Sequence, residues 1–352
     1  MTPGDGGPAT GSPAGAGGCL NPGLVAAASH DPVRPVRLVA AGGTIAMRGE
    51  RAVPQDDAAA LVAALPALAV AGLEAESVRS VPGVQLCLDD ALAVARAARA
   101  AAGAGRGVVV TSGTDTIEEL ALLCDLVHDG AEPIVVTGAI RPGSAAGADG
   151  PANLLDAVAV AGSAAAAGLG AVVVFGGEIH AARFVRKGDS TGPTAFTSPL
   201  TGPIGRVGEG RTAVLARPPR RPALAVERFD ARVGVVAVGI GDDGWLVRAA
   251  LAAGADGLVV VAMGAGHLPP PVLEAVEEAA ARLPVVACVR PERGQMLRGT
   301  YGFRGSEGDL RASGAIPAPI LSPAAARLKL VACLGAGLRA AALREVFRDD
   351  DP

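Results

Sequence analysis

Residues 107–128 read GVVVTSGTDTIEELALLCDLVH, and this stretch indicates the fold class. It opens with a short β-rich run, GVVVT, turns at Gly113, and continues as an apolar segment of helical length. The same alternation recurs along the chain, with apolar runs at residues 36–41, 133–138 and 171–175 and helical segments at residues 56–68, 88–102 and 153–167. Near-continuous apolar strands separated by helices are typical of a parallel sheet that is covered on both faces.

A second cycle of the same kind follows a stretch rich in Pro and Arg. Its predicted strands are residues 233–239, 257–264 and 284–289, and its predicted helices are residues 246–254, 271–283 and 323–337. We therefore predict an α/β protein of two domains with mainly parallel sheets, a larger N-terminal and a smaller C-terminal one. The predicted boundaries are a disordered Gly/Pro/Ala-rich tail (1–32), the N-terminal α/β domain (33–212), a linker (213–230) and the C-terminal α/β domain (231–347).

Composition argues against several classes of protein. The 352 residues carry a formal net charge of −4 and 19% charged residues, whereas a nucleic-acid-binding protein shows a basic face. Within the two predicted domains, the longest uncharged stretch, residues 157–177, is punctuated by glycines and fits helix, turn and strand better than a membrane span. No Lys or Arg precedes Arg34, so the charged start of a signal peptide is missing and the cytoplasm is the expected location.

The five cysteines are scattered, with no CxxC pair among them. This spacing argues against a disulfide framework and against a zinc site. Cys124 and Cys288 lie in apolar runs, and we predict that both are small core residues.

Ligands of open parallel sheets bind beyond the carboxyl ends of the strands, so the loops after the strands are candidate sites. The first, AAGGTIA (40–46), has two glycines that permit a tight turn and leaves Thr44 at the edge of the sheet. The other two are TSGTDTIEE (111–119), with Thr114 and Asp115, and RFVRKGDST (183–191), with Lys187.

The second of these loops also has a purely structural interpretation. Asp115 with Glu118, or Thr116 with Glu119, has the spacing of a capping box at the start of a helix. A capping box explains one side-chain group, whereas this segment gathers four hydroxyls and an Asp around one glycine. Both interpretations stay open at this point.

A hydroxyl nucleophile needs a base, and the four histidines are poor candidates for it. His30 lies in the predicted tail and His128 ends a predicted helix. His180 and His267 are assigned to loops, and neither has a GxSxG elbow nearby. A Lys–Asp pair is the remaining way to activate a threonine, and the three loops together permit it.

Five stretches resemble the bacterial L-asparaginase/glutaminase amidohydrolases. They are AGGTIA (41–46), TSGTDTIEE (111–119), TGAIRP (137–142) with ADGPANL (148–154), and RFVRKGDSTGPTAFTSP (183–199). TYGFRGSEGDL (300–310) and SPAAARLKL (322–330) resemble the second domain of the same family. The resemblance covers residues 36–345 in the order and spacing of the family.

The resemblance implies an enzyme that hydrolyses the side-chain amide of L-asparagine to L-aspartate and ammonia, without metal or cofactor. It implies a homo-oligomer, a dimer or tetramer, with a small amide as substrate and no nucleic-acid or membrane partner. In the family's arrangement, Thr44 is the nucleophile, Thr114 is the second catalytic threonine, and Asp115 and Lys187 complete a Thr–Lys–Asp set.

The resemblance also implies positions for the substrate. Thr114 and Asp115 contact it, Asp115 holding the α-amino group, and Gly83 and Val84 match the loop that binds the α-carboxylate. Ala139 lies where a backbone group contacts the side-chain amide.

The chain departs from the family's pattern in several places. Ala41 and Ser112 stand where the family usually has Thr and His, and residues 47–55 lack the lid's usual Tyr. Gly83 and Val84 replace a Ser and a polar residue, whereas an alignment shifted by one or two residues would put Gln85 there instead. Two alternatives follow: an amidohydrolase with a shifted substrate (glutamine, D-asparagine or an N-substituted amide), or a catalytically silent protein that binds aspartate or asparagine.

Overall fold

The structure, a computed structural model, describes Met1 and residues 34–49, 53–69 and 73–351. The predicted tail (1–32) lies outside the described residues apart from Met1. The described strands are β1 (Val36–Gly42), β2 (Met47–Arg48), β3 (Val53–Pro54), β4 (Glu74–Val81), β5 (Gly107–Thr111), β6 (Ile134–Thr137), β7 (Ala171–Phe175), β8 (Glu178–Ala181), β9 (Arg186–Lys187), β10 (Phe196–Thr197), β11 (Gly205–Gly208), β12 (Arg211–Val214), β13 (Val233–Ala237), β14 (Gly257–Ala262), β15 (Val285–Val289) and β16 (Ile316–Pro317). The described helices are α1 (Ala58–Ala63), α2 (Pro66–Ala69), α3 (Leu88–Gly103), α4 (Ile117–Val127), α5 (Gly150–Gly162), α6 (Trp245–Ala252), α7 (Pro270–Ala280), α8 (Glu307–Ala312), α9 (Pro323–Gly335) and α10 (Ala340–Phe347).

The larger sheet has the strand order β12-β11-β8-β7-β6-β5-β1-β4 within the described chain. The pairs from β4 to β7 are parallel, and β8, β11 and β12 extend the sheet antiparallel. Its central valines are buried on both faces: Val108 and Val110 share a core with α3 and α4, whereas Val109 packs in a core with α5. Burial on both faces explains why the central strands are apolar without alternation.

The smaller sheet has the order β13-β14-β15-β16, and all its pairs are parallel. One face packs against α7, while Val259 and Val286 on the other face belong to the same core cluster as α4 and α9. This shared core joins the two domains. The prediction of two α/β domains with mainly parallel sheets is confirmed.

Differences from the predicted elements have local causes. The predicted helix 56–68 is two helices, because Pro66 has no N–H to continue the first and instead starts α2. Strand β4 went unpredicted because EAESVRSV is mostly exposed at the sheet edge, where Arg37 pairs with Glu74 and Glu76. Strand β12 ends at Val214, inside the predicted linker, whose bounds stay a prediction.

Two further predictions concern the interior and the membrane. Cys124 and Cys288 are fully buried, which confirms them as core residues, and burial raises the pKa of each thiol to about 12. Thiols with such a pKa are protonated and unreactive at neutral pH. None of the helices in the described part of the chain has both the length and the apolarity needed to cross a bilayer.

Replacing Asp156 on α5 with Asn is expected to stabilise the protein at pH 8 and much less at pH 4.5. Burial raises the pKa of Asp156 from 3.8 to about 6, so the fold favours the protonated acid and loses stability as pH rises through that range. The gain above pH 7 should be about 1 kcal/mol, because the side chain is partly exposed and solvent screens its charge. Thermal unfolding at both pH values measures it, with the exposed Asp230→Asn as control. An equal gain at both pH values would exclude this explanation.

Candidate active site

The loops that follow four parallel strands lie together at the carboxyl ends of those strands in the larger sheet. Strand β1 runs into Gly43 and Thr44, β4 into a 3-10 turn that begins at Gly83, β5 into the loop that carries Thr114, and β6 into the loop that carries Ala139. Because β4, β1, β5 and β6 are neighbours in that order, their loops are neighbours as well.

Three glycines let these loops touch backbone to backbone. A Cβ on Gly43, whose φ is +87°, would lie 2.3 Å from the Gly113 nitrogen. A Cβ on Gly113 would lie 2.7 Å from the Gly83 nitrogen, and one on Gly83 would lie 3.0 Å from the Gly113 Cα. At this glycine contact (Gly43, Gly83 and Gly113), a larger residue would have to displace backbone or, at Gly83, also the Thr116 hydroxyl, which lies 2.9 Å from the position of a Cβ. Thr44, Val84 and Thr114 each directly follow one of these glycines.

The ammonium of Lys187 joins two of the predicted catalytic residues. Its Nζ donates a hydrogen bond to Thr114 Oγ1 at 3.0 Å and another to Asp115 Oδ1 at 2.7 Å. Thr114 is buried, the Lys187 side chain is 17% exposed, and the Asp115 side chain is 60% exposed. The set therefore runs from a buried hydroxyl through a mostly covered ammonium to a carboxylate that solvent and ligands can reach.

Lys187 is held in place by its main chain. Strand β9, which contains Lys187, pairs with β10, and the Lys187 N–H donates to Glu118 Oε2 at 2.9 Å. The second oxygen of Glu118 accepts a hydrogen bond from Ser322 Oγ at 3.2 Å, at the start of α9 in the C-terminal domain. Sequence reasoning missed this role, because Glu118 and Ser322 lie far from Lys187 in sequence.

The capping-box interpretation of the second loop is wrong. Thr116 is the N-cap residue of α4, but its side chain does not bond the helix's backbone N–H groups. Thr116 Oγ1 instead donates to the Gly113 carbonyl at 3.2 Å and lies 3.4 Å from Ser112 Oγ. The Thr116 hydroxyl therefore holds the loop at the glycine contact, and the Glu118 carboxylate accepts a hydrogen bond from the N–H of Lys187.

The residues predicted to bind substrate occupy different environments. Gly83 is buried against Gly113, whereas the Val84 side chain is 72% exposed. Ala139 is fully buried, and the next residue, Ile140, donates its N–H to Asp149 Oδ2 at 3.0 Å.

Asn153 adds two hydrogen bonds beneath the loop of Ala139. Its amide donates to the Gly138 carbonyl at 3.0 Å and accepts from the Gly176 N–H at 3.0 Å. Asp149 and Asn153 thus fix the loop, a role that the sequence analysis did not assign.

A count of the lysines in the sequence singles out Lys187. The chain has 31 Lys and Arg residues, and only Lys187 and Lys329 are lysines. Arg binds carboxylates well but stays protonated, whereas an ammonium is compact and exchanges protons more readily. In a chain whose cations are nearly all Arg, each Lys is a candidate for a role that needs a compact cation able to exchange a proton.

Of the two histidines assigned to loops, one lies in a strand and the other in a loop as expected. His180 was assigned to a loop, but it lies in β8, fully buried, with Nδ1 3.0 Å from Ser198 Oγ. Burial lowers the pKa of its imidazole, so the ring is neutral at pH 7. His267 does lie in a loop and packs edge-on against Tyr301 and Phe303. Within the described residues, no group of three or more His, Cys, Asp or Glu side chains is placed to hold a metal ion.

Comparison with known families accounts for this arrangement of loops. Residues 35–220 match the family described as "Asparaginase, N-terminal", and residues 232–347 match the "Glutaminase/Asparaginase C-terminal domain". The chain belongs to the asparaginase family. As a member of that family it is an amidohydrolase, and the resemblance drawn from its motifs is confirmed.

Individual relatives match two thirds or more of this asparaginase-family chain. It is 37% identical over 321 residues to a probable L-asparaginase of Deinococcus radiodurans, covering 88% of this chain and 96% of the relative. It is 34% identical over 260 residues to a glutaminase-asparaginase of Pseudomonas fluorescens biotype A, covering 69% and 71%. The crystal structure of a probable cytoplasmic L-asparaginase from Campylobacter jejuni superposes with a TM-score of 0.76 at 28% identity, covering 85% and 94%.

Proposed function

We propose that the protein hydrolyses the side-chain amide of L-asparagine to L-aspartate and ammonia, with Thr44 as nucleophile. The observation that carries the proposal is the set of two hydrogen bonds from Lys187 to Thr114 and Asp115, 3.0 and 2.7 Å long. The contact between Gly43 and Gly113 lies directly before Thr44 and Thr114 and supports a shared site for the two hydroxyls. The relative from Deinococcus radiodurans bears the name of this activity.

The proposed reaction has two steps. Thr44 Oγ1 attacks the amide carbon, the carbon–nitrogen bond breaks, and the hydroxyl proton leaves with the nitrogen as ammonia. Water then attacks the resulting ester, the ester bond breaks, and one water proton returns to Thr44 Oγ1. The acid so formed gives up its remaining proton to ammonia or solvent and leaves as the carboxylate. Thr114 and Lys187 assist by relaying the proton of the attacking water. Backbone N–H groups of the loops stabilise the oxyanion, each by about 3 kcal/mol.

Asp115 has the exposure and charge to bind the substrate's α-ammonium group. Its side chain is 60% exposed, and one oxygen is engaged with Lys187. The second carboxylate oxygen is then available to an incoming cation. Desolvation by the bound substrate strengthens that interaction.

A shifted substrate is the second candidate, and Val84 favours it. This side chain is 72% exposed at the loop assigned to the α-carboxylate, and it offers no hydrogen bond. A donor missing from the α-carboxylate site costs an α-carboxylate substrate about 1–3 kcal/mol of binding free energy. A substrate with another group in place of the α-carboxylate would not lose that hydrogen bond. The glutaminase-asparaginase name of a relative makes glutamine the first alternative.

Ammonia release from purified protein tests both candidates. The substrates are L-asparagine, D-asparagine, L-glutamine and an N-substituted β-amide of aspartate, the last also followed by release of its amine. We expect turnover of L-asparagine above the others. Faster turnover of another substrate favours the shifted-substrate alternative, and no turnover combined with calorimetric binding of aspartate favours the silent binding protein.

A homo-oligomer, dimer or tetramer, is the assembly we propose. We propose that four large apolar side chains exposed on the C-terminal domain form its interface patch (Val235, Ile240, Trp245 and Leu246), with Trp245 at 60% and Ile240 at 99% exposure. Val235 lies on β13, an edge strand of the smaller sheet as described, and exposed sheet edges and apolar patches are surfaces at which chains can associate.

Replacing Trp245 with Arg and Leu246 with Asp together is expected to lower the oligomer mass. Two charges in an apolar interface must be desolvated, which disfavours association. Size-exclusion chromatography with light scattering measures the mass, and Leu215→Asp, a change at another exposed leucine, is the control. An unchanged mass would exclude this patch as the interface.

The cytoplasm is the location we propose. The structural neighbour from Campylobacter jejuni is named a probable cytoplasmic L-asparaginase. Fractionation of the native cells tests this location, and recovery of the chain with the periplasmic or secreted proteins would exclude it.

A further inference from the structure

The carboxylate of Asp350, near the end of the chain, is buried among three cations. Asp350 is fully buried in a 3-10 turn after α10. Its Oδ2 accepts a hydrogen bond from Lys329, while its Oδ1 lies 3.1 Å from an Arg221 nitrogen and 3.4 Å from an Arg183 nitrogen. A buried carboxylate needs such partners, and here they come from α9, the predicted linker and the segment before Lys187.

Arg183 connects this cluster to the segment that carries Lys187. Its guanidinium also donates to the Asp349 carbonyl at 3.0 Å. Three residues later, Arg186 donates to the Ile320 carbonyl at 3.3 Å, and the Ile320 N–H donates in turn to the Asp350 carbonyl at 3.4 Å. Both arginines of RFVRK therefore bind the C-terminal domain, directly before the lysine of the candidate site.

The C-terminal turn thus fixes the approach of the chain to Lys187. Val185, between the two arginines, is buried, so the segment has little room to shift. The Lys187 side chain is long and flexible, and its reach to Thr114 and Asp115 depends on where its own backbone lies. Glu118 holds that backbone from one side, and the two arginines hold the preceding residues from the other.

We propose that Asp350 is a positioning residue for Lys187, acting through Arg183. This proposal rests on the proposed function in so far as Lys187 serves catalysis. It assigns a role in the site to a residue that lies in the opposite domain and does not touch the substrate. A displacement of about 1 Å at a reacting group costs up to about a hundredfold in rate, so indirect support of this kind is enough to matter.

Arg183→Gln is the primary variant, and Asp350→Asn is the second. Arg183→Gln breaks the link but leaves Asp350 paired with Lys329 and Arg221, so the C-terminal turn keeps its cations. Asp349→Asn is the matched control, because it removes the same charge from the neighbouring position, where the side chain is 57% exposed. The Asp349 backbone carbonyl that Arg183 binds is unchanged in this control.

Two readouts separate positioning from general destabilisation. The first is the split between kcat and KM with the amide substrate, measured well below the unfolding temperature. The second is the rate of reductive methylation of Lys187 by formaldehyde and a borane reductant, followed by peptide mass spectrometry. Because Lys187 and Lys329 are the only lysines, and Lys329 is fully buried, unmodified Lys329 reports that the fold is intact.

For Arg183→Gln and Asp350→Asn we expect kcat to fall about tenfold with KM unchanged. Methylation of Lys187 should accelerate several-fold, because its bonds to Thr114 and Asp115 are loosened, while Asp349→Asn matches the wild type in both readouts. Wild-type methylation of Lys187 in a folded Arg183→Gln variant would overturn the proposal. A wild-type protein that hydrolyses no amide would instead refute the proposed function, and the methylation rates would still decide whether Asp350 positions Lys187.

Discussion

Thr44→Ala is expected to abolish ammonia release while the protein stays folded. The hydroxyl of Thr44 is the nucleophile of the proposed reaction, and loss of a nucleophile typically costs at least about 10⁴-fold in kcat. The fold should survive, because the contact between Gly43 and Gly113 is made by backbone atoms that the substitution leaves unchanged. Steady-state ammonia release and circular dichroism of the same sample measure both parts of this result.

The control for this variant is Thr201→Ala, which removes a hydroxyl from an exposed threonine elsewhere in the N-terminal domain. Thr44→Ser should keep measurable activity, because it retains a hydroxyl at the same atom position. If Thr44→Ala turns over L-asparagine at the wild-type rate, the nucleophile is another group, and the two-step reaction with an ester on Thr44 is wrong.

Lys187→Arg should lower kcat by about 10³-fold although the positive charge is kept. The guanidinium stays protonated and is wider than an ammonium, so it neither relays a proton nor fits the same pair of bonds to Thr114 and Asp115. Stability should change by less than about 1 kcal/mol, because the Asp115 end of the pair is largely exposed to solvent. Kinetics at pH 7 to 9 and thermal unfolding give the two quantities.

Arg248→Lys is the matched control for this interchange, since Arg248 is 43% exposed and belongs to the C-terminal domain. It should leave kcat unchanged. Wild-type kcat in Lys187→Arg would mean that a positive charge alone is sufficient at this position, and the proton relay would have to be abandoned.

The fold was predictable where burial on both faces imposed an apolar pattern on the sequence. The runs at residues 107–111 and 171–175 are buried throughout, and both are strands with the predicted bounds. Strand β4 is different, because it is mostly exposed and is held by ion pairs to Arg37 whose partners cannot be read from local periodicity. The short antiparallel strands β11 and β12 likewise carry polar residues and depend on pairing rather than on burial.

The candidate site was predictable as far as motifs reach. Thr114, Asp115 and Lys187 were expected to form one arrangement, and the structure brings the three together; their roles stay a proposal. The supports of that arrangement were not predictable. Glu118 meets the Lys187 backbone across 69 positions of sequence, and Arg183 meets Asp350 across 167 positions. Such bonds are set by how the domains pack, which a local spacing does not encode.

The glycine contact limits which amino-acid substitutions the site can accept in the course of evolution. A neighbour cannot compensate for an alanine at Gly43 or Gly113 by becoming smaller, because each faces only backbone atoms or another glycine. Val84 lies beside this contact and points to solvent, so its side chain can be exchanged without disturbing the backbone. In evolution the residue at position 84 can therefore change, and substrate preference with it, while the backbone contact that positions Thr44 and Thr114 is conserved.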